Sequence, residues 1–300
     1  MKKIITIFKW LISVTAILLI SIICYIRFSR TIDPYIYRAT SSKVKFTSQY
    51  KHQELMLNLD DSTKIHAALF SPDSAKVKAT IFHHLGNGME LNTAQLMYKA
   101  LLNNGYQIFT YERRGYGGSS GDDDDSSLLK KDAIEIFDKF KEMNEVKDTD
   151  IIIWGVSLGG IFATTNAAER NSDIKGLIIE GTFSSFPDVA KHYASEINLE
   201  NYKWLIPLVL NNDFPTNKEI KKVTKPVVII HSTEDKLIPF ELGQNIFFNS
   251  NKANTTFWQI EGEHVKGIIN YEQEYLNKFD EILYKPVVHY DLKEKSCSSY

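Results

Sequence analysis

The chain has 300 residues, 43% hydrophobic and 24% charged, a globular balance that excludes a disordered or low-complexity polymer. Its 35 Lys and Arg against 37 Asp and Glu give a net charge of −2, with no basic excess to grip nucleic acid. Two cysteines, Cys24 and Cys297, near opposite ends exclude a disulfide framework and a cysteine-built zinc site.

From Trp10 to Ile26 the chain carries no charge, a run at the short end of a spanning helix. Residues 4–8 extend it, because Lys9 can snorkel from a helix end. The run predicts an N-terminal membrane anchor over residues 1–30. A cleaved signal peptide is the alternative, but no A-x-A-like site follows Leu19, and the bulky Ile22 and Ile23 oppose lipid processing at Cys24. Lys2, Lys3 and Lys9 precede the run and Arg27, Arg30 and Arg38 follow it. This charge balance barely discriminates orientation, and the default for a signal anchor puts the large domain outside the cytoplasm.

A single domain is expected over residues 44–285, with a tail at 286–300. Residues 54–59 and 64–70 alternate with period two around Asp60, Asp61 and Ser62, which predicts an antiparallel hairpin. Short apolar runs at 79–83, 107–111, 151–154, 177–180, 227–231 and 255–260 predict strands buried on both faces of a largely parallel sheet. Helical period separates them: Leu129, Ala133, Phe137 and Phe140 share one face, and Ile268, Tyr275, Phe279 and Ile282 another. Alternating strand and helix is the pattern of an α/β fold with a mostly parallel central sheet flanked by helices. The 46 residues from 181 to 226 are too long for a simple crossover. They predict a short helical cap over about 186–222.

After the strand ending at Trp154 the chain reads Gly155-Val156-Ser157-Leu158-Gly159-Gly160 and turns helical. This is G-x-S-x-G between a strand and a helix, where side chains at the glycines would collide with their neighbours. A serine hydroxyl needs a base and an orienting acid to become a nucleophile. Asp235, after the strand at 227–231, and His264, after the strand at 255–260, supply both, with Glu234 as a rival for the acid. The order Ser157, Asp235, His264 is that of the α/β hydrolases rather than of either protease class. An oxyanion needs two N–H donors. The Leu158 amide is one, and Asn87 in His83-His84-Leu85-Gly86-Asn87-Gly88 is the expected other.

The acidic run 122–125 reads as a helix start rather than a calcium site, and Arg113 and Arg114 as loop anchors rather than anion binders. His83, His84 and His231 read as structural, with no spacing that suggests a metal site. In the cap, seven apolar residues from Trp204 to Leu210 cover an underside or, on the sharper reading, form an acyl-binding wall with Trp204, Leu208 and Leu210.

These motifs resemble the α/β-hydrolase superfamily over residues 45–283, especially its small single-pass, membrane-anchored, abhydrolase-type serine hydrolases. Tyr111-Glu112-Arg113-Arg114-Gly115-Tyr116-Gly117-Gly118-Ser119 is similar to that branch's YRGYGxS segment, and Asp235-Lys236-Leu237-Ile238-Pro239 to its DxxVP segment. Leu85 stands where such relatives carry the histidine of His-Gly-Asn. The resemblance implies cleavage of acyl esters or thioesters, including lipid-like ones, through an acyl-enzyme, with no cofactor, metal or nucleic acid. A non-catalytic adaptor of the same fold is the alternative from another class; a peptidase or acyltransferase is the alternative within it.

Overall fold

The structure, a computed structural model, describes residues 2–37 and 45–284 except 61, 75 and 122–124. The expected tail, Cys297, Arg38 and most of the acidic run lie outside the described residues.

Helix α1 (Lys2–Phe28) is followed by a short turn, α2 (Asp33–Ile36). The α1 helix is long and apolar enough to cross a membrane, and none of its apolar stretch is buried against the chain. Eight strands follow: β1 (His52–Asn58), β2 (Lys64–Phe70), β3 (Ala79–His84), β4 (Tyr106–Tyr111), β5 (Ile151–Val156), β6 (Gly176–Glu180), β7 (Val227–Ser232) and β8 (Thr255–Ile260). They form one sheet in the order β1-β2-β4-β3-β5-β6-β7-β8. The hairpin is antiparallel, β2 meets β4 antiparallel, and all later pairs are parallel. The helices that bear on the site and the sheet include α3 (Ser126–Lys141), α4 (Gly159–Glu169), α5 (Phe186–Glu196), α6 (Ile206–Val209), α7 (Phe240–Asn249) and the closing α8 (Glu272–Tyr284).

The apolar runs of β3 to β7 are continuous because both faces of those strands are covered. Ile81, Trp154, Ile178 and Val228 point to one face and pack with Tyr98, Tyr275 and Phe279. Phe82, Phe109, Ile153 and Ile179 point to the other, against Phe137, Phe140 and Ala163. Removing side chains of this size from water stabilises the fold by roughly 1.5–3 kcal/mol each. Strand β8, expected to be buried on both faces, instead lies at the edge of the sheet, and only Ile260 of its six residues is buried.

The chain leaves β3 toward β4 on one side, then returns to place β5 on the other. Such a reversal opens a crevice at the carboxyl ends of the two flanking strands. Here those ends are the loop after His84 and the corner at Ser157.

The segment 181–226 carries α5, a 3₁₀ turn at Glu200–Leu205, α6 and a turn at Thr216–Glu219. Its last part belongs to the body, since Ile220 and Val223 lie in the core against the sheet.

Candidate active site

The β5–α4 corner sets the position of Ser157. Its backbone adopts φ +53°, a left-handed conformation that costs a non-glycine residue about 1–3 kcal/mol. The Ser157 N–H donates to the Glu180 carbonyl at 2.8 Å, stitching the corner to β6. The flanking glycines admit the helix: a Cβ at Gly155 would lie 2.5 Å from the Ala163 Cβ, and one at Gly159 would overlap the His84 carbonyl.

Loops from β7 and β8 bring two more of the expected side chains to this corner. The Ser157 hydroxyl is 2.9 Å from His264 Nε2, and His264 Nδ1 is 2.6 Å from Asp235 Oδ2. With Nδ1–H donating to the carboxylate, Nε2 is left to accept from the serine. The second Asp235 oxygen accepts from the Leu237 and Ile238 amides at 2.9 and 2.8 Å. Burial opposes ionisation of Asp235, but the His264 contact and these amides outweigh it and hold its pKa below the usual carboxylate range.

Glu234, the rival acid, points elsewhere and accepts from the Gly262 N–H at 2.9 Å. At the other end of the His264 loop, the Gly267 N–H donates 2.8 Å to Glu180, a carboxyl that also accepts from the Tyr275 hydroxyl at 2.7 Å. Burial pushes the Glu180 pKa up against those two bonds. The loop carrying the imidazole is thus fastened by a carboxyl group at each end. Neither contact was legible in the sequence, because in each the carboxyl group is distant in the chain and its donor is a backbone amide.

The loop after β3 lies beside the corner, where a Cβ on Gly86 would sit 3.4 Å from the Ser157 Cβ. Arg113, expected as a loop anchor, donates to the Leu85 carbonyl at 2.6 Å and the Gly86 carbonyl at 3.0 Å. Its guanidinium also lies over the Tyr116 ring. In a trans peptide the N–H points opposite to the C=O, so fixing the Gly86 carbonyl turns the Asn87 N–H away from Arg113. The Asn87 side chain is held as well, accepting from the Tyr116 hydroxyl at 2.9 Å and donating to the Ile36 carbonyl at 2.9 Å. Leu158, at the N-terminal end of α4, is buried in a cluster with Tyr37, Phe183 and Phe186. Leu85, at the position of the family histidine, is buried in the core.

That cluster does not include the expected acyl wall of Trp204, Leu208 and Leu210. Trp204 is 66% and Leu208 42% exposed, and Leu210 is half-buried. The underside near Leu158 is filled by Phe183, Phe186 and Phe214. An open hollow beside the imidazole is lined instead by residues 233–237 and 262–264. His83, His84 and His231 are buried and bonded to Tyr98, Tyr111 and the Ile238 carbonyl. Burial lowers the pKa of all three.

Sequence reading also missed the segment between α1 and β1. Arg30 contacts Asp33, Asp125 and Asp213 at 3.3, 3.1 and 2.7 Å and donates to the Ser126 hydroxyl at 2.7 Å. Tyr37 is buried edge-on against Phe186. A lone Arg after an apolar run reads as membrane flank, and only folding shows what it meets.

The family model described as serine aminopeptidase, S33, matches residues 75–212. Solved structures share the architecture. The esterase Pf2001 of Pyrococcus furiosus superposes with a TM-score of 0.63 at 16% identity, over 82% of this chain and 95% of its own. The chain has the fold of the α/β-hydrolase superfamily.

A soluble variant of the monoglyceride lipase of Saccharomyces cerevisiae also shares the hydrolase fold. Its TM-score is 0.61 at 17% identity, over 81% of this chain and 99% of its own. Among curated relatives, lysophosphatidylserine lipase ABHD12 of Macaca fascicularis is 28% identical over 160 residues, half of this chain and 39% of its own length. The chain therefore spans about two fifths of that relative. Human alpha/beta hydrolase domain-containing protein 17B is 26% identical over 227 residues, covering 74% of this chain and 72% of its own. The family match contains Asn87 and Ser157 and ends before Asp235 and His264.

Proposed function

We propose that this hydrolase is a membrane-anchored serine esterase acting on acyl esters or thioesters, lipid-like ones included. The observation that carries this reading is the line from Ser157 through His264 to Asp235, at 2.9 and 2.6 Å. Ser157 Oγ attacks the acyl carbonyl while its proton passes to His264 Nε2, and Asp235 stabilises the imidazolium that forms. The Leu158 and Asn87 amides receive the oxyanion. The tetrahedral centre collapses, the C–O or C–S bond breaks, and His264 returns the proton to the leaving alcohol or thiol. Water then repeats the sequence on the acyl-enzyme and releases the acid and free Ser157.

The names of the lipase and esterase relatives support an ester as the substrate. The same geometry serves an amide bond, and the serine aminopeptidase description of the matching family favours that second reading. We place the domain on the extracytoplasmic side of α1, as for a signal anchor; protease protection in intact membranes checks the side.

The deciding experiment uses a fluorophosphonate probe and a panel of graded acyl esters, thioesters and aminoacyl anilides. Wild type labels and cleaves esters, and Ser157→Ala does neither. Cleavage of anilides alone would move the assignment to a peptidase. A folded wild type that neither labels nor cleaves would leave an adaptor.

A further inference from the structure

Helix α1 and the cap are joined. Arg27, next to the end of α1, donates from Nη1 to the Pro207 carbonyl at 2.9 Å and the Leu210 carbonyl at 3.2 Å. The Asn211 side-chain amide donates in return to the Arg27 carbonyl at 2.9 Å. These contacts fix α6 beside the last turn of α1. A helix of 27 residues is about 40 Å long, and a bilayer's hydrocarbon core is about 30 Å thick. The end of α1, and the cap fastened to it, therefore lie at the level of the lipid headgroups.

The surface that the cap shows there has the composition of that layer. Ile197, Tyr202 and Trp204 are 66%, 58% and 66% exposed, and Leu199 and Leu208 are exposed beside them. On α1 the same level carries exposed Tyr25 and Phe28 and the cation Arg27. Tyrosine and tryptophan concentrate at membrane–water boundaries because their rings are apolar at one end and polar at the other. Five large exposed side chains within twelve residues are costly in water, and their continuity with a membrane helix indicates what covers them.

We propose that the cap surface around Trp204 and Leu208 seats in the headgroup layer of the bilayer that α1 spans, so that an ester dissolved in that bilayer is the substrate. This rests on the reading of α1 as a membrane anchor and adds a second, interfacial contact to it. The occupant is lipid, and the acyl wall expected from Trp204, Leu208 and Leu210 becomes a lipid-facing surface.

The chain carries an intrinsic reporter, since it has tryptophan at 10, 154, 204 and 258. The full chain is reconstituted into phosphatidylcholine vesicles with ordinary or brominated acyl chains, and emission is compared for wild type, Trp204→Phe, Trp10→Phe and Trp258→Phe. A ring seated about 5–10 Å into the headgroup and acyl boundary meets the bromines, so the emission due to Trp204 should fall about twofold or more. The part of the emission lost on Trp204→Phe is then a quenched part, as it is for Trp10→Phe. Emission from Trp204 that bromination leaves unchanged, with Trp10 quenched, overturns the proposal and leaves this surface to a protein partner. If Trp10 is not quenched either and the chain does not float with the vesicles, the anchor reading itself has failed. Thermal unfolding of each variant confirms that the comparison is between folded proteins.

Discussion

Ser157 keeps a left-handed backbone because the Glu180 carbonyl, the two flanking glycines and α4 leave it no other. The strain lifts its hydroxyl toward His264, and close packing sustains it. Gly159→Ala should therefore be among the most damaging small substitutions, since its methyl meets a backbone carbonyl that cannot rotate away. Overpacking of this kind costs about 1–3 kcal/mol or more, to be read as a fall in the denaturant midpoint. Asp235 and Glu234 separate two jobs that adjacent carboxylates share in sequence. Asp235→Asn should lower kcat by about 10⁴-fold with the fold intact, as loss of the orienting acid does in serine triads; Glu234→Gln, which only slackens the Gly262 contact, should cost far less. Because the folded pKa of Asp235 is depressed, its contribution to stability is present above the unfolded value near 3.8 and is lost as pH falls through the lower folded value. The acid limb of the unfolding curve should accordingly flatten in Asp235→Asn. Arg113→Gln frees two carbonyls and the peptide that carries the Asn87 N–H. With that N–H as the proposed oxyanion donor, its misplacement should cost about 10²–10³ in kcat, and a kcat loss with KM retained is the expected signature.

At the scale of elements, two loops converge on the corner because each is tied at more than one point. The His264 loop hangs between Glu234 and Glu180, and the Asn87 loop between Arg113, Tyr116 and the Ile36 carbonyl. Multiple ties suit a proton relay, whose geometry fails when its parts drift by an ångström. The hairpin carries a separate, titratable tie, with His66 lying between Glu54 and Glu112 at 2.7 and 2.8 Å. The Glu112 hydrogen bond, against burial, raises the His66 pKa above 6.5. Its stabilising contribution is thus complete below pH 6.5 and disappears as pH rises through the folded value. Wild type should lose thermal stability relative to His66→Gln across that alkaline window.

At the scale of the whole molecule, the segment after α1 ties the first helix to the corner at Ser157. Arg30 gathers three aspartates, Tyr37 fills the cluster around Leu158, and Ile36 holds Asn87. An anchor acting only as a tether would allow truncation anywhere before β1. Removal of residues 1–26 should leave a folded domain, whereas removal through Tyr37 exposes the pocket that its ring fills. Loss of a buried aromatic side chain costs about 3–5 kcal/mol, so the longer truncation should melt well below the shorter one.

Strand positions were legible because buried strands need continuous apolar runs and half-buried ones alternate, and β2 and β8 appear with the expected bounds. The order of Ser157, Asp235 and His264 was legible because hydrolase chemistry restricts residue type, and each stands just beyond a strand. The sequence by itself thus determined the layer architecture, the apolar first helix and the identity of the three polar side chains. Tertiary structure alone decided that Asp235 rather than Glu234 reaches the imidazole, that Arg113 governs the loop after β3, and that Trp204 turns outward. Those outcomes depend on where separate backbones come to rest, and local periodicity carries no record of contacts between residues on different loops.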